Sequence, residues 1–235
     1  MIEESPRETV RFGLRIGRWS PESVEELANP EGFDIVIVRR PSTWSTSWVE
    51  LTGFDGYVAI HADSLIYWNW VNDRERPPAP RDDVVVCHDL DLLASMVTDT
   101  FAGYRNHYSA NPLLDRGAAL EGYVEWAQLT AADDGFLGVR DDDQWVGFAV
   151  IDWSIELPDV RLAGVASAHQ GRGKYRDVVA AMMQATVNRS RTGIEISTQV
   201  GNVAPQRTWS TLGWRPCRAL ETTHLVRASL LAASA

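Results

Sequence analysis

Twelve residues, from Val165 to Arg176, combine an apolar run, two glycines and three cations just before a helical pattern. Val178, Val179, Met182, Met183, Thr186 and Val187 recur on one face at helical spacing, so a helix is expected to open at about residue 175. Gly171 and Gly173 allow the chain to turn and to approach a ligand without a Cβ clash. The unpaired N–H groups of a first helical turn, at the positive end of the helix dipole, favour an anion. Arg172, Lys174 and Arg176 add positive charge at the same place. Two common phosphate loops do not fit. Walker A requires Gly-Lys-Ser/Thr, and the dinucleotide fingerprint requires a third glycine.

The spacing resembles the acyl-CoA loop of the GNAT superfamily of N-acyltransferases: Val-x-Pro, two residues, then Arg/Gln-x-x-Gly-x-Gly/Ala leading into a helix. Val165 and Ser167 take the Val-x-Pro places, Gln170 the Arg/Gln place and Gly173 the first glycine, with Ser167 for Pro and Tyr175 for the last small residue. A second block, Asn202 to Trp214, is similar to the superfamily's Asn-x6-Tyr-x3-Gly-Phe helix, with Trp209 and Trp214 at the aromatic places. The resemblance implies direct acyl transfer from acetyl-CoA to an amine. It assigns the cofactor to Ala163, Gly164, Val165, Gln170, Gly171, Arg172, Gly173, Lys174, Tyr175 and Arg176, together with Asn202, Arg207 and Trp209. Arg172 and Lys174 are expected near phosphate oxygens.

Three chemical parts are then required: a clamp, a donor for the tetrahedral oxyanion, and routes for two protons. In relatives a bulge in the strand before the loop frees an amide for the thioester carbonyl. Ala163-Gly164-Val165 holds that place, Gly164 suits a bulge, and the Val165 N–H is the expected donor. The superfamily's usual acid is the Tyr of the second block, which is Trp209 here. An indole N–H donates but does not titrate usefully, so Trp209 is expected to orient sulfur or wall the tunnel. His224 is a candidate for either proton, since an ordinary imidazole titrates near neutrality. The acceptor is expected against Tyr104, Arg105, Asn106, His107, Tyr108 and Asn111, with His107 placed to accept an amine proton.

Composition bounds these readings. A net charge of −10 without a basic arm argues against nucleic-acid or membrane binding, so any anion must be held locally. Cys87 and Cys217 have neither a metal spacing nor the number for a disulfide framework, and no metal is expected. Met1 to Glu8 is polar and acidic, and no long apolar span follows. A cytoplasmic protein is expected, with a homodimer left open.

Asn72 to Asp83 is charged, proline-rich and aperiodic, a linker by composition. It divides residues 1–80 from residues 83–235. The first part carries a strand-like Asp34–Val38, a helix-compatible stretch from Thr43 to Gly53-Phe54, and strand-like Tyr57–Trp70. That rhythm repeats near the C-terminus in Gly193–Ser197, Asn202 to Gly213-Trp214, and Cys217–Val226. After the linker the pattern gives a strand at Val84–Cys87, helices at Asp89–Tyr108 and Leu120–Leu129, and strands at Gly135–Arg140, Gln144–Trp153 and Val160–Val165. The loop helix and the C-terminal elements follow.

Periodicity alone supports an α/β or α+β chain. The resemblance implies a GNAT fold, a mixed central sheet flanked by helices, preceded by a smaller partial GNAT-like domain. Within the superfamily the layout resembles dTDP-fucosamine and related amino-sugar acetyltransferases. The expected activity is N-acetylation of a nucleotide-linked amino deoxysugar. Another small amine (antibiotic, amino acid or polyamine) is the first alternative, and a non-catalytic acyl-CoA-binding protein the second.

Overall fold

Alternation of side chains across a strand lets one strand face two helices, as the neighbours Gly147 and Phe148 do here. A computed structural model describes residues 1–21, 29–43, 53–72 and 77–233. The chain forms two compact units, each assembled from separate stretches. Unit 2 comprises Tyr67–Tyr104 and Leu120–Cys217; unit 1 comprises Met1–Ile66, Arg105–Ala119 and Arg218–Ala235. The linear reading divides the chain once, at 80–83. Here the strands β4 (Tyr57–Val71) and β10 (Arg215–Arg227) each begin in one unit and end in the other.

In unit 2, β5 (Asp83–Cys87), β6 (Phe136–Asp141), β7 (Gln144–Asp152) and β8 (Asp159–Val165) pair antiparallel in sequence order, and β9 (Gly193–Gln199) joins β8 in parallel. Phe148, Val150 and Leu162 meet Leu93, Met96 and Val97 of helix α2 (Leu90–Phe101) and Ala127 and Ala131 of helix α3 (Arg116–Ala131) in one core. Helix α4 (Tyr175–Asn188) covers the opposite face, where a Cβ on Gly147 would come within 2.6 Å of the Val178 Cγ2. Val178, Val179 and Met182 of α4 are fully buried. The mixed sheet flanked by helices is the expected architecture.

Helix α2 is shorter than its pattern. Asp89 caps it by accepting from the amides of Asp91 and Leu92, and it ends at Phe101 rather than near Tyr108. His107–Ala110 form a separate 3-10 turn, capped by Asn106, which accepts from the Tyr108 and Ser109 amides. Helix α5 (Val203–Thr211) lies between β9 and β10 in the chain.

Unit 1 is built on β3 (Ile35–Pro41), flanked by the parallel β2 (Ile16–Trp19) and the antiparallel Leu220–Val226 stretch of β10. The two-residue β1 (Glu3–Glu4), helix α1 (Pro6–Phe12) and the C-terminal helix α6 (Ala228–Ala233) complete its regular structure. Trp19, Val36, Val38 and Leu225 form its core cluster. The helix expected after Thr43 lies outside the described residues. No helix of the described residues is long and apolar enough to cross a membrane.

Candidate functional site

The register of β8 sets the geometry of the site. Val150 opposes Leu162 but Ile151 opposes Val160, so Arg161 is the extra residue of a bulge. Its guanidinium is held at that bend by Asp152 and Asp159, at 2.8 and 2.6 Å. The parallel ladder between β8 and β9 ends at the same level, with the pairs Asp159–Glu195 and Val160–Ile196. The rest of β8 and the Ser197–Gln199 end of β9 run on without pairing to each other. The bulge was expected at Ala163–Val165, and the structure moves it to Arg161. Gly164 has another function: a Cβ there would collide with the Thr100 methyl of α2.

The Val165 amide faces away from β7. The Ala166 N–H donates to the Val146 carbonyl of β7 at 3.0 Å, so strand alternation turns the Val165 N–H to the other side, toward the unpaired edge. The Val165 carbonyl accepts from Gln170 Nε2 at 3.0 Å. Gln170 therefore serves as a brace for the loop.

The loop itself is open. Gly171 and Gly173 adopt φ of 73° and 78°, in the left-handed region, and nothing lies within 4 Å of a Cβ built on Gly171. The amides of Gly171, Arg172, Gly173 and Lys174 find no acceptor among the described residues, and α4 begins at Tyr175. At the entry, Asp99 of α2 accepts from the Ser167 amide and hydroxyl, both at 2.7 Å. Those two bonds, the amide first, hold the Asp99 carboxyl below its ordinary range. Ser167 is thus the anchor of the loop.

The cations are distributed differently from the sequence expectation. The Lys174 ammonium does not stand free for a phosphate, because Asp82 and Asp141 hold it at 2.9 and 2.7 Å. Bonding to Asp141 and then Asp82 raises its pKa. Arg172 is exposed, and Arg176 lies 3.9 Å from the Asp177 carboxylate. The residue that the sequence reading missed is Arg81, inside the supposed linker. Its amide and Nε donate to Asp177 Oδ1 at 2.9 and 3.2 Å, and Nη2 donates to Oδ2 at 2.9 Å. Asp177 is fully buried. Burial pushes its pKa up, but the bonds and charge of Arg81 prevail and lower it. No spacing rule links residues 81 and 177.

Trp209 is 1% exposed, and it sits among aromatic rings with centroids 6.0 Å (Trp68), 6.4 Å (Trp214) and 6.5 Å (Tyr175) away. Its Nε1 has no partner among the described residues. It is a packed ring with one unspent donor. Burial raises the Tyr175 phenol well above its ordinary pKa, against the opposing influence of the nearby Trp209 N–H. The Tyr104 hydroxyl donates to Gln199 Oε1 at the end of β9. Asn202 precedes α5 without capping it, and its Nδ2 donates to Thr198 Oγ1 at 3.0 Å. Arg207 is exposed on α5.

Of the remaining expected residues, His107, Tyr108, Asn111 and His224 are buried in unit 1. His224 is fully buried and His107 is 5% exposed, with His107 Nδ1 and His224 Nε2 3.0 Å apart. Asn111, also buried, places its Nδ2 3.2 Å from His224 Nδ1. Both ring nitrogens of His224 are therefore engaged. Burial lowers its pKa to about 4; Glu8 opposes that, while Arg18 and Arg39 reinforce it. His107 is lowered as well, by burial first and then by His224, Arg39 and Arg18. The structure thus sets these histidines up as neutral core groups, not as the near-neutral acid or base expected. Tyr108 is likewise committed: its hydroxyl donates to Glu8 at 2.6 Å, and Glu8 is bound by Arg18 at 2.6 Å. Asn106 is a cap, and Arg105 is exposed.

No protein-family profile and no curated protein matches the sequence. Solved structures do. A GCN5-related N-acetyltransferase from Sphaerobacter thermophilus aligns with 82% of this chain at a TM-score of 0.60 and 16% identity, and the chain spans 61% of that protein's length. A GNAT-family acetyltransferase from Novosphingobium aromaticivorans aligns with 83% of the chain and is covered over 74% of its own length, at 0.50 and 17% identity. The glucosamine N-acetyltransferase region of a fungal multi-domain GH3 β-N-acetylglucosaminidase aligns with 80% of the chain, which covers 25% of that protein, at 0.52 and 12% identity. The chain has the fold of the GCN5-related N-acetyltransferases.

Proposed function

We propose that this protein transfers an acetyl group from acetyl-CoA to the amine of a small acceptor, in the amino-sugar class. The observation that carries the reading is the open run of amides from Gly171 to Lys174 at the start of α4, beside a β8 edge that β9 leaves unpaired. Those amides and Arg172 would hold the diphosphate, and the β8 edge would align the pantetheine arm. The Val165 N–H would donate to the thioester carbonyl oxygen as it becomes an oxyanion. The amine attacks the carbonyl carbon, the C–S bond breaks, and the amine's proton leaves to water. The departing thiolate is a modest base, with a pKa near the ~8.5 of an ordinary thiol, and takes a proton from water. Trp209 orients the sulfur and walls the arm.

The acceptor class rests on the likeness of Tyr104–Pro112 and Glu121–Trp126 to sugar-biosynthetic members. The fungal glucosamine N-acetyltransferase region is a neighbour in fold. The net charge of −10 favours the second reading, a cationic small amine. Thiol release from acetyl-CoA, measured against nucleotide-linked amino sugars, free amino sugars, aminoglycosides, amino acids and polyamines, tests both. Turnover confined to amino sugars is the expected result. Tight CoA binding with no transfer to any amine would leave only a binding protein.

A further inference from the structure

Arg81 lies nine residues after Asn72, in a stretch whose composition reads as a linker, yet its side chain reaches the anion loop. An arginine has five N–H donors in a planar fork. Two of them, on Nε and Nη2, go to Asp177 at 3.2 and 2.9 Å, and the second Nη2 hydrogen points to the Gly173 carbonyl at 3.4 Å. Both Nη1 hydrogens remain without an acceptor among the described residues, on a side chain that is 61% exposed. The fork is therefore fixed at its inner edge by a fully buried carboxylate, and it presents its outer edge to solvent beside Gly173. A Cβ on Gly173 would stand 3.9 Å from Nη2. Next to it Asp82 and Asp141 draw off the charge of Lys174, the cation that the loop sequence itself suggests.

We propose that Arg81, and not Lys174, joins Arg172 as a side-chain cation on the diphosphate of the acyl-CoA substrate, with Asp177 as its positioning residue. The inference rests on the proposed acetyl-CoA reading and adds a ligand from outside the loop motif. A charge-assisted bond that is already oriented costs little ordering on binding.

The test uses the full chain. CoA binding by calorimetry, and turnover with acetyl-CoA and with S-acetylpantetheine, which lacks the phosphates, are compared for wild type, Arg81→Gln and the double variant Arg81→Gln/Asp177→Asn. The double variant removes the buried carboxylate's charge, so no unpaired ion remains in the core. About tenfold weaker CoA binding is expected in both variants, with kcat/KM for S-acetylpantetheine within twofold of wild type. Equal CoA affinity in wild type and variants overturns the role of Arg81 and leaves the acetyl-CoA reading standing. Equal losses with both donors overturn it too, by making Arg81 a support of the fold. Absence of CoA binding in the wild type is the separate outcome that removes the acetyl-CoA reading itself.

Discussion

Lowering the pH from 7 to 5 is expected to destabilise unit 1 through His107 and His224. Asn111 fixes where the protons of the pair lie. Its Oδ1 accepts from the Leu113 amide at 3.1 Å, which leaves Nδ2 to donate to His224 Nδ1. His224 must then carry its proton on Nε2 and donate it to His107 Nδ1. Adding a proton to either accepting nitrogen sets two N–H donors face to face in a buried site. Glu8, Arg18, Arg39 and Tyr108 are the charged and titratable groups around the pair, and the two arginines reinforce the penalty. The folded pKa of His224 is about 4, against 6.5 for the model imidazole. Between those values the unfolded chain binds a proton that the folded chain refuses. The stabilisation is therefore complete above pH 6.5 and drains away as the pH falls toward 4. The difference is worth about 3 kcal/mol in all, of which about 2 kcal/mol is lost by pH 5, and His107 adds in the same direction. Urea unfolding followed by tryptophan fluorescence, from pH 7.5 to 5.0, measures it. A His224→Gln variant should be less stable at pH 7 and much flatter between 6.5 and 5.0. An unchanged free energy over that range in the wild type, or an equal slope in the variant, would refute the assigned neutral pair.

Two further outcomes follow from unit 2. Gly164→Ala should destabilise by about 1–3 kcal/mol, since its methyl meets Thr100 of α2, and Thr100→Ser should restore most of that loss in a thermal melt. Asp99→Asn, which weakens the bonds to the Ser167 amide and hydroxyl, should raise the KM for acetyl-CoA about tenfold with kcat nearly constant, and an unchanged KM would detach Asp99 from the loop.

The sequence made unit 2 readable where periodicity was long and caps were strong. The α4 stripe from Val178 to Thr186 is one such case, and the β6–β7 hairpin another: Asp142 in the left-handed region at φ 53° closes it, as a run of three aspartates suggests. It was less readable where elements are short. A two-residue β1 and a seven-residue α1 carry too few turns for a period to register. The helix reading through Tyr108 failed for a local reason: apolar spacing continues past Phe101, while the Asn106 side chain satisfies the Tyr108 and Ser109 amides and begins a new turn. The histidine pair joins positions 117 residues apart, and Arg81 meets Asp177 across 96. Contacts of that span leave no spacing signal in one sequence.

Charge in the loop illustrates the same limit with a consequence for binding. The stretch from Arg172 to Arg176 reads as a concentration of cations in an acidic chain, yet carboxylates within reach take up part of that charge. Lys174 is taken by Asp82 and Asp141, Arg81 is opposed by Asp177, and Arg176 lies 3.9 Å from the same carboxylate. What remains for an anion is a set of backbone amides, the exposed Arg172, and the outer edge of one arginine held in place. Backbone dipoles are fixed by the fold and need no counterion of their own, so a chain of net charge −10 can hold an anion without a basic surface. The paired carboxylates fix the direction in which the cations point, which is why geometry, more than the number of basic residues, decides what the loop can bind.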